Sequence, residues 1–337
     1  MLRRFAIGLA LAAIGISNAA AGEKITIAQS SDGFLFTPIY IAVSKKYFAE
    51  EGIDAEVVSF KGGATAMSAV IGGSAQVYVG VPAIGLEARS KGQAVKAFGA
   101  VMTEYAINVV ISEEAARKAG LTHASSTAER LAALKGLRIG ITGPGSATDQ
   151  LVRYLARGGN LDPERDLTLV PIGGGSALLA ALGQKRIDGF ALSSPFTDQA
   201  AMSGGAFMLF NLAAGQYEPL KGFLFIALIA QDKWLASKPA EAAAVVRAIS
   251  RAQKLLRDDP GAARTAVISY FQGTQREVFD VAFKTNLPAF PATPRIDARG
   301  IQQNLDFIEA TSGRRLMIKP EEAFTNAIVE EALKSTR

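Results

Sequence analysis

The sequence predicts an α/β protein of two similar lobes, each a mainly parallel sheet flanked by helices, joined by a two-strand hinge with a ligand cleft between them. Three observations predict it. Short apolar runs of strand type alternate with stretches of helical period along most of the chain. One block of that pattern occurs twice: Gly62-Gly63-Ala64-Thr65-Ala66 matches Gly173-Gly174-Gly175-Ser176-Ala177, and Gln76-Val77-Tyr78-Val79 matches Asp188-Gly189-Phe190-Ala191 at nearly the same offset. With 337 residues, 49% hydrophobic and 20% charged, the chain is also long and apolar enough for two packed domains.

Residues 1–21 read as a secretory signal peptide. Arg3-Arg4 form a positive start, residues 5–16 an apolar stretch, and Ala19-Ala20-Ala21 the small residues a signal peptidase inspects. The stretch falls short of the roughly 20 residues of a spanning helix. No cysteine follows it, so no lipid anchor attaches there, and the expected product is free in an exported compartment, most simply a bacterial periplasm. The absence of cysteine also excludes a disulfide scaffold, thiolate metal sites and a cysteine nucleophile. A single histidine, His123, leaves no multi-histidine metal site, and its polar surroundings predict a surface loop. Formal net charge is +5, two of it from Arg3 and Arg4, with no long basic run to attract nucleic acid.

Residues 25–28 predict a strand, followed by a loop to 37 and a helix from Pro38, a good first residue, to a cap at Gly52. Residues 54–60 give the next strand, 65–71 a helix and 75–79 a third strand. The order recurs with strands at 137–141, 167–172 and 187–192 and helices at 146–157 and 176–182. The remainder predicts a strand over 223–230 and helices over 239–257, 260–271 and 298–309. Helices without their own sheet need something to pack on, so this segment is expected to return to the first lobe. The lobes are then 22–102 plus 210–337 and 103–209, with crossings near 101–105 and 207–211.

In open α/β sheets ligands sit at the carboxyl ends of strands, against helix N-termini. The candidates there are Ser30, Ser31, Asp32, Phe34, Phe36, Gly62, Gly63, Thr65 and Gly80 in the first lobe. In the second they are Gly143, Gly145, Ser146, Ala147, Thr148, Gly174, Gly175, Ser176, Ser193, Ser194 and Phe196. Glycine lets backbone amides approach a ligand, and Ser and Thr add donors. Such loops suit a polar or anionic head held by neutral groups, although the same residues also serve as ordinary helix caps. Phe34, Phe36, Phe196 and Tyr105 of the first crossing either sandwich a ligand body or plug the core. Asp32 either accepts from an amine or caps a helix, and Lys61 is the obvious cation. Gly143-Pro144-Gly145 departs from a dinucleotide fingerprint, since Thr148 stands where the third glycine belongs. No cofactor, metal or catalytic residue is assigned.

The ordered set Ile25-Thr26-Ile27-Ala28, Pro38-Ile39-Tyr40-Ile41-Ala42 and Tyr47-Phe48-Ala49-Glu50-Glu51-Gly52-Ile53 resembles substrate-binding proteins of the nitrate/sulfonate/taurine class of ABC importers. Phe60-Lys61-Gly62-Gly63, Leu134-Lys135-Gly136-Leu137-Arg138-Ile139-Gly140, Gly145-Ser146 and Ala180-Ala181-Leu182 continue it over nearly the whole chain after the signal peptide. The resemblance implies a type II periplasmic binding fold that closes on ligand and docks on a membrane permease with its ATPase. It implies ligand contact at Asp32 to Phe36, Gly62 to Thr65, Gly80, Gly145 to Thr148 and Ser193 to Phe196. The acid usual before the third strand is Gln76 here, whereas Asp188 keeps it in the second lobe. The class binds nitrate, alkanesulfonates, taurine, aromatic acids and thiamine-type pyrimidines, and no residue selects among them. Beside a monomeric binding protein stand two other readings: a ligand-sensing subunit of a membrane receptor, and an enzyme on the same fold.

Overall fold

The computed structural model describes residues 22–60 and 62–334. The expected signal peptide lies outside the described residues. The first lobe opens with β1 (Glu23–Gln29), α1 (Thr37–Ser44), α2 (Tyr47–Glu50), β2 (Ile53–Ser59), α3 (Gly63–Ile71), β3 (Val77–Gly80), α4 (Pro82–Ser90) and β4 (Val95–Met102). The second holds β5 (Asn108–Ser112), α5 (Glu113–Lys118), α6 (Thr127–Ala132), β6 (Arg138–Ile141), α7 (Ala147–Gly158), β7 (Thr168–Pro171), α8 (Gly175–Gly183), β8 (Gly189–Leu192), α9 (Phe196–Met202) and β9 (Ala206–Phe210). The chain then returns through β10 (Ile226–Gln231), α10 (Asp232–Ser237), α11 (Pro239–Asp258), α12 (Pro260–Val267), α13 (Arg276–Asn286) and α14 (Ala298–Ser312). Among the described residues no helix is long and apolar enough to cross a membrane.

The sheet orders are β2-β1-β3-β10-β4 and β7-β6-β8-β5-β9. In each, three parallel strands come from one β-α-β-α-β unit, as the repeat predicts. The antiparallel strand beside them arrives from the other lobe: β10 pairs with β3 and β4, and β5 pairs with β8 and β9. Gln76 and Asp188 hold equivalent places. Gln76 Oε1 accepts from Thr26 N at 2.8 Å while Gln76 N donates to Thr26 O at 3.0 Å. Asp188 Oδ2 accepts from Arg138 N at 2.8 Å while Asp188 N donates to Arg138 O at 2.8 Å. Each lobe thus clamps its third parallel strand to its first through the side chain at the head of that strand, an amide in one lobe and a carboxylate in the other.

Three local expectations change. The helix expected from Pro38 to Gly52 is broken, because Lys46 takes a left-handed φ of 58° and separates α1 from α2. The crossings are residues 103–107 and 211–225, since Val101 still belongs to β4 and Phe207 to β9. The returning segment does not serve the first lobe alone. Whereas α11 lies on α1, with Arg247 Nε donating to Glu51 Oε2 at 2.5 Å, α13 packs on α9 and α14 on both α4 and α7. Arg157 of α7 donates to Ala310 O at 2.8 Å, and the Tyr154 and Phe307 rings stand 4.8 Å apart. These two helices straddle the lobes.

Loop 122–125 and α6 are tied to β9 by one side chain. Ser126 caps α6 in a reciprocal box with Glu129, which turns Arg130 inward. Its guanidinium donates to the carbonyls of Ser125 (3.0 Å), Thr122 (3.3 Å), His123 (2.9 Å), Met208 (3.2 Å) and Leu209 (2.9 Å). Arg130→Met keeps the apolar stem and strands those carbonyls, so unfolding free energy should fall by about 3 kcal/mol. A urea midpoint lowered at constant slope is the expected result; an unmoved midpoint would show that water replaces the guanidinium without loss.

Candidate functional site

The carboxyl ends of the parallel strands of both lobes face one cleft of about 570 Å³, a size suited to a small organic ligand. The first lobe lines it with Ser30, Ser31 and Asp32 after β1, Leu35, the Gly62-Gly63 turn, Tyr78, and Val81, Ala83, Ile84 and Glu87 around the start of α4. The second contributes Thr142, Gly145, Ser146, Ala147, Thr148, Gln150, Gly175, Leu192, Ser193 and Phe196. Ile107, Phe225, Ile226 and the end of α14 (Ile308, Thr311, Ser312) complete the wall.

Sequence and structure part over the aromatic candidates. Phe34 and Phe36 have no exposed surface, because the loop after β1 tightens into a 3-10 turn that directs both rings inward. Phe34 stacks on Phe271 at 4.3 Å and meets Phe279 at 5.5 Å, so these are core plugs, and Leu35 between them faces the cleft. Tyr105 is likewise buried, packed against Phe225 at 4.5 Å and Phe307 at 5.4 Å, with its hydroxyl donating to Ala147 O at 3.3 Å. It holds the crossing against the start of α7 instead of lining the site. Thr65 points outward from α3. Gly80 lies beneath the cleft, crowded by the Tyr78 and Ser30 hydroxyls. Ser194 sits one layer behind Ser193, with its Oγ accepting from Asn286 Nδ2 at 2.8 Å. Of the aromatic candidates, Phe196 alone lines the cleft, and it lies so close over Gly175 that a Cβ there would stand 2.4 Å from the ring.

The helix starts at the cleft are not alike. Ser146 caps α7 by accepting from Asp149 N at 3.3 Å, Gly145 N is taken by Asp149 Oδ2 at 2.7 Å, and Thr148 Oγ1 accepts from Thr142 N at 2.9 Å. That loop satisfies itself. By contrast α3 and α8 begin on Gly62 and Gly174 with no side-chain cap. These are the two glycine turns of the internal repeat, and their first amides have no side-chain acceptor; α4 and α9 also begin at the cleft without a side-chain cap, on Val81 and Pro195. Among the described lining residues only Asp32 and Glu87 are charged, and Arg314 pairs with Glu87 at 3.1 Å. Lys61 lies outside the described residues. The Ser31 to Gly33 loop is fixed from below: Gln29 Nε2 donates to Asp32 Oδ1 at 3.2 Å and to the Tyr40 hydroxyl at 2.9 Å. Burial pushes the Tyr40 phenol up to about 12, so it stays a protonated anchor.

Residues of α4 and α14 were absent from the sequence-derived site. The start of α4 carried a signal in Pro82, a first-turn residue directly after the third strand. The end of α14 carried none, since only tertiary packing brings it to the cleft.

Behind the Ser193-Phe196 loop, Asp198 is buried with Oδ2 lacking a hydrogen-bond partner among the described residues. Burial raises its carboxyl above the ordinary range, against the hydrogen bond from Ser194. The folded state therefore keeps a proton that the unfolded chain gives up at the ordinary carboxyl value. Its contribution is full below that value and is lost as pH rises through the raised one. Asp198→Asn should raise the melting temperature at pH 7 and leave it nearly unchanged at pH 4; an equal shift at both would remove the buried proton from the account.

A family model described as the NMT1-like family matches residues 34–269. The bicarbonate transport ATP-binding protein CmpC of Synechocystis is 26% identical over 225 residues, 64% of this chain and 32% of that protein. The chain thus spans about a third of the length of this curated relative. A solved structure from Bordetella bronchiseptica superposes with a TM-score of 0.77 at 24% identity, covering 94% of this chain and 98% of that one. The alkanesulfonate-binding protein SsuA of Xanthomonas axonopodis, bound to MOPS, gives 0.64 at 18% identity over 93% and 99%. The nitrate-binding protein NrtA of Synechocystis gives 0.65 at 15% over 93% and 89%. The desulfurization enzyme DszB also matches, at 0.66 and 14% over 94% and 100%. At these identities the structural matches speak for the fold, and the family match spans well over half of the sequence: this chain belongs to the NMT1-like family and has the fold of the nitrate- and sulfonate-binding periplasmic proteins.

Proposed function

We propose that the protein is the exported solute-binding component of an ABC importer, closing its two lobes on a small organic anion and presenting it to a membrane permease. The observation that carries this reading is the pair of uncapped helix starts, α3 and α8, one from each lobe on a shared cleft. Amides at helix N-termini favour negative charge without a bound cation, and a ligand touching both favours the closed arrangement of lobes. A bicarbonate transport protein and sulfonate- and nitrate-binding proteins among the relatives support the same class. The apolar wall of Leu35, Ile84, Ile107, Phe196 and Phe225 favours a carboxylate or sulfonate with an organic body over nitrate or bicarbonate. Asp32, open at the cleft and without an ion-pair partner among the described residues, favours a second reading: an aminopyrimidine or other heterocycle presenting an N–H. Turnover has less support. The chain has no cysteine, and its one histidine, His123, lies on an exposed loop beside Phe207 at 5.3 Å.

Protein stripped of ligand by unfolding and refolding should bind one of MOPS, taurine, benzoate or 4-aminopyrimidine. At 100 times the dissociation constant the gain is about 2.7 kcal/mol, read as a thermal shift, with a smaller radius of gyration in X-ray scattering. No shift with any of them, together with no retained mass in native mass spectrometry of the unstripped protein, would refute the reading. Ser146→Trp should abolish the ligand-induced shift by filling the cleft, while the lost cap lowers basal stability by about 1 kcal/mol. Undiminished affinity would take that loop out of the site.

A further inference from the structure

Tyr78 is a buried polar residue that the architecture does not use. It lies within β3 between Ala28 of β1 and Ile229 of β10 and has no exposed surface. Among the described residues its hydroxyl has no hydrogen-bond partner. Ser30 Oγ and the Val81 backbone lie beside it but do not meet hydrogen-bond geometry. An unpaired buried hydroxyl destabilises the free protein, and the internal repeat shows that the fold does not need it. The equivalent residue of the second lobe is Phe190, equally buried in β8. That position requires a ring, and only the cleft side of the first lobe has the oxygen.

The hydroxyl stands against the start of α3. A Cβ on Gly63 would come within 2.8 Å of it, and one on Gly80 within 2.2 Å. Gly62, Gly63 and Tyr78 all line the cleft, and α3 begins without a side-chain cap. We propose that the Tyr78 hydroxyl is a ligand-binding donor, forming with the first amides of α3 a first-lobe subsite for the oxyanion head, a carboxylate or sulfonate oxygen, of an organic acid. Burial holds the phenol protonated well above neutral pH, so it donates and does not repel an anion. The Gly62-Gly63 turn, free of side chains and with Gly62 at φ 112°, shifts on closure to bring the ligand oxygen onto the hydroxyl.

This subsite rests on the cleft being the solute site, and the experiment separates the two. Calorimetric titration of stripped wild type and Tyr78→Phe with MOPS, taurine, benzoate and 4-aminopyrimidine gives the affinities, and thermal unfolding of both free proteins gives their stability. The expected signature has opposite signs: the variant is as stable as wild type or more so, yet binds the oxyanion about tenfold more weakly, about 1.4 kcal/mol. Equal affinities with a wild type that binds would overturn the subsite and leave the solute-binding reading standing. A variant less stable than wild type would show that the hydroxyl is already bonded within the protein, and would overturn it too. Wild type that binds only 4-aminopyrimidine would overturn the oxyanion class, and wild type that binds none of the four would overturn both readings together.

Discussion

The structure depends on a strand exchange. Neither sheet is complete on its own chain segment: β10 enters the first only after the second lobe has been built, and β5 enters the second directly from the first. Both inserted strands are interior, paired on both sides and largely apolar, so neither lobe can detach without stripping an interior strand from its sheet. The two crossings are thereby held at the same side of both sheets, at the carboxyl ends of the parallel strands. Those ends face each other across the crossings, and that is the geometric origin of the cleft. The shape that makes solute capture possible follows from where β5 and β10 pair.

The crossings carry aromatic packing where a polar linker would be the usual choice. Tyr105, Phe223, Phe225 and Phe307 form one cluster with ring centroids 4.5–6.4 Å apart, and Tyr154 and Tyr217 extend it onto the second lobe. Rings sliding over rings lose little when the angle between the lobes changes, because dispersion contacts are many and weakly directional. The directional links are fewer: Tyr105 to Ala147 O, Arg157 to Ala310 O, and Asn286 to Ser194. Each ends on, or near, a helix start or helix end that borders the cleft, so a ligand that moves those elements works against these bonds.

What the sequence made legible follows interaction range. The strands, helices and glycine turns of the β-α-β units are written in local sequence patterns that the repeat shows twice, and the helix cap at Ser146 is local too. The fates of Phe34, Phe36 and Tyr105 are not local. Whether a ring on a loop faces solvent, ligand or core depends on what arrives later, and Phe271, Phe279 and Phe307 come from the returning segment. The broken helix at Lys46 and the straddling of α13 and α14 are of the same kind. Gln76 is the opposite case. It stands where the resemblance implies an acid, yet its carbonyl oxygen accepts the equivalent backbone N–H that a carboxylate accepts in the other lobe. The position requires an acceptor, and the charge of Asp188 answers to Arg138, whose place in the first lobe is taken by Thr26.

That comparison separates what a lobe needs from what a site needs. Where the repeats agree in chemistry, as at the acceptors Gln76 and Asp188, the shared feature answers to the backbone and serves both lobes equally. Where they differ at the same depth of burial, the fold cannot be the reason, because the other lobe stands as its own control. Phe190 packs as the hydrophobic effect dictates. Tyr78 is buried to the same depth and adds an oxygen that burial penalises and that has no hydrogen-bond partner among the described residues. A stability disadvantage confined to one lobe, beneath the turn that faces the cleft, is what functional sites show when local rules are broken for binding. The asymmetry between two copies of one unit therefore points to a ligand contact that the shared glycine turns do not by themselves supply.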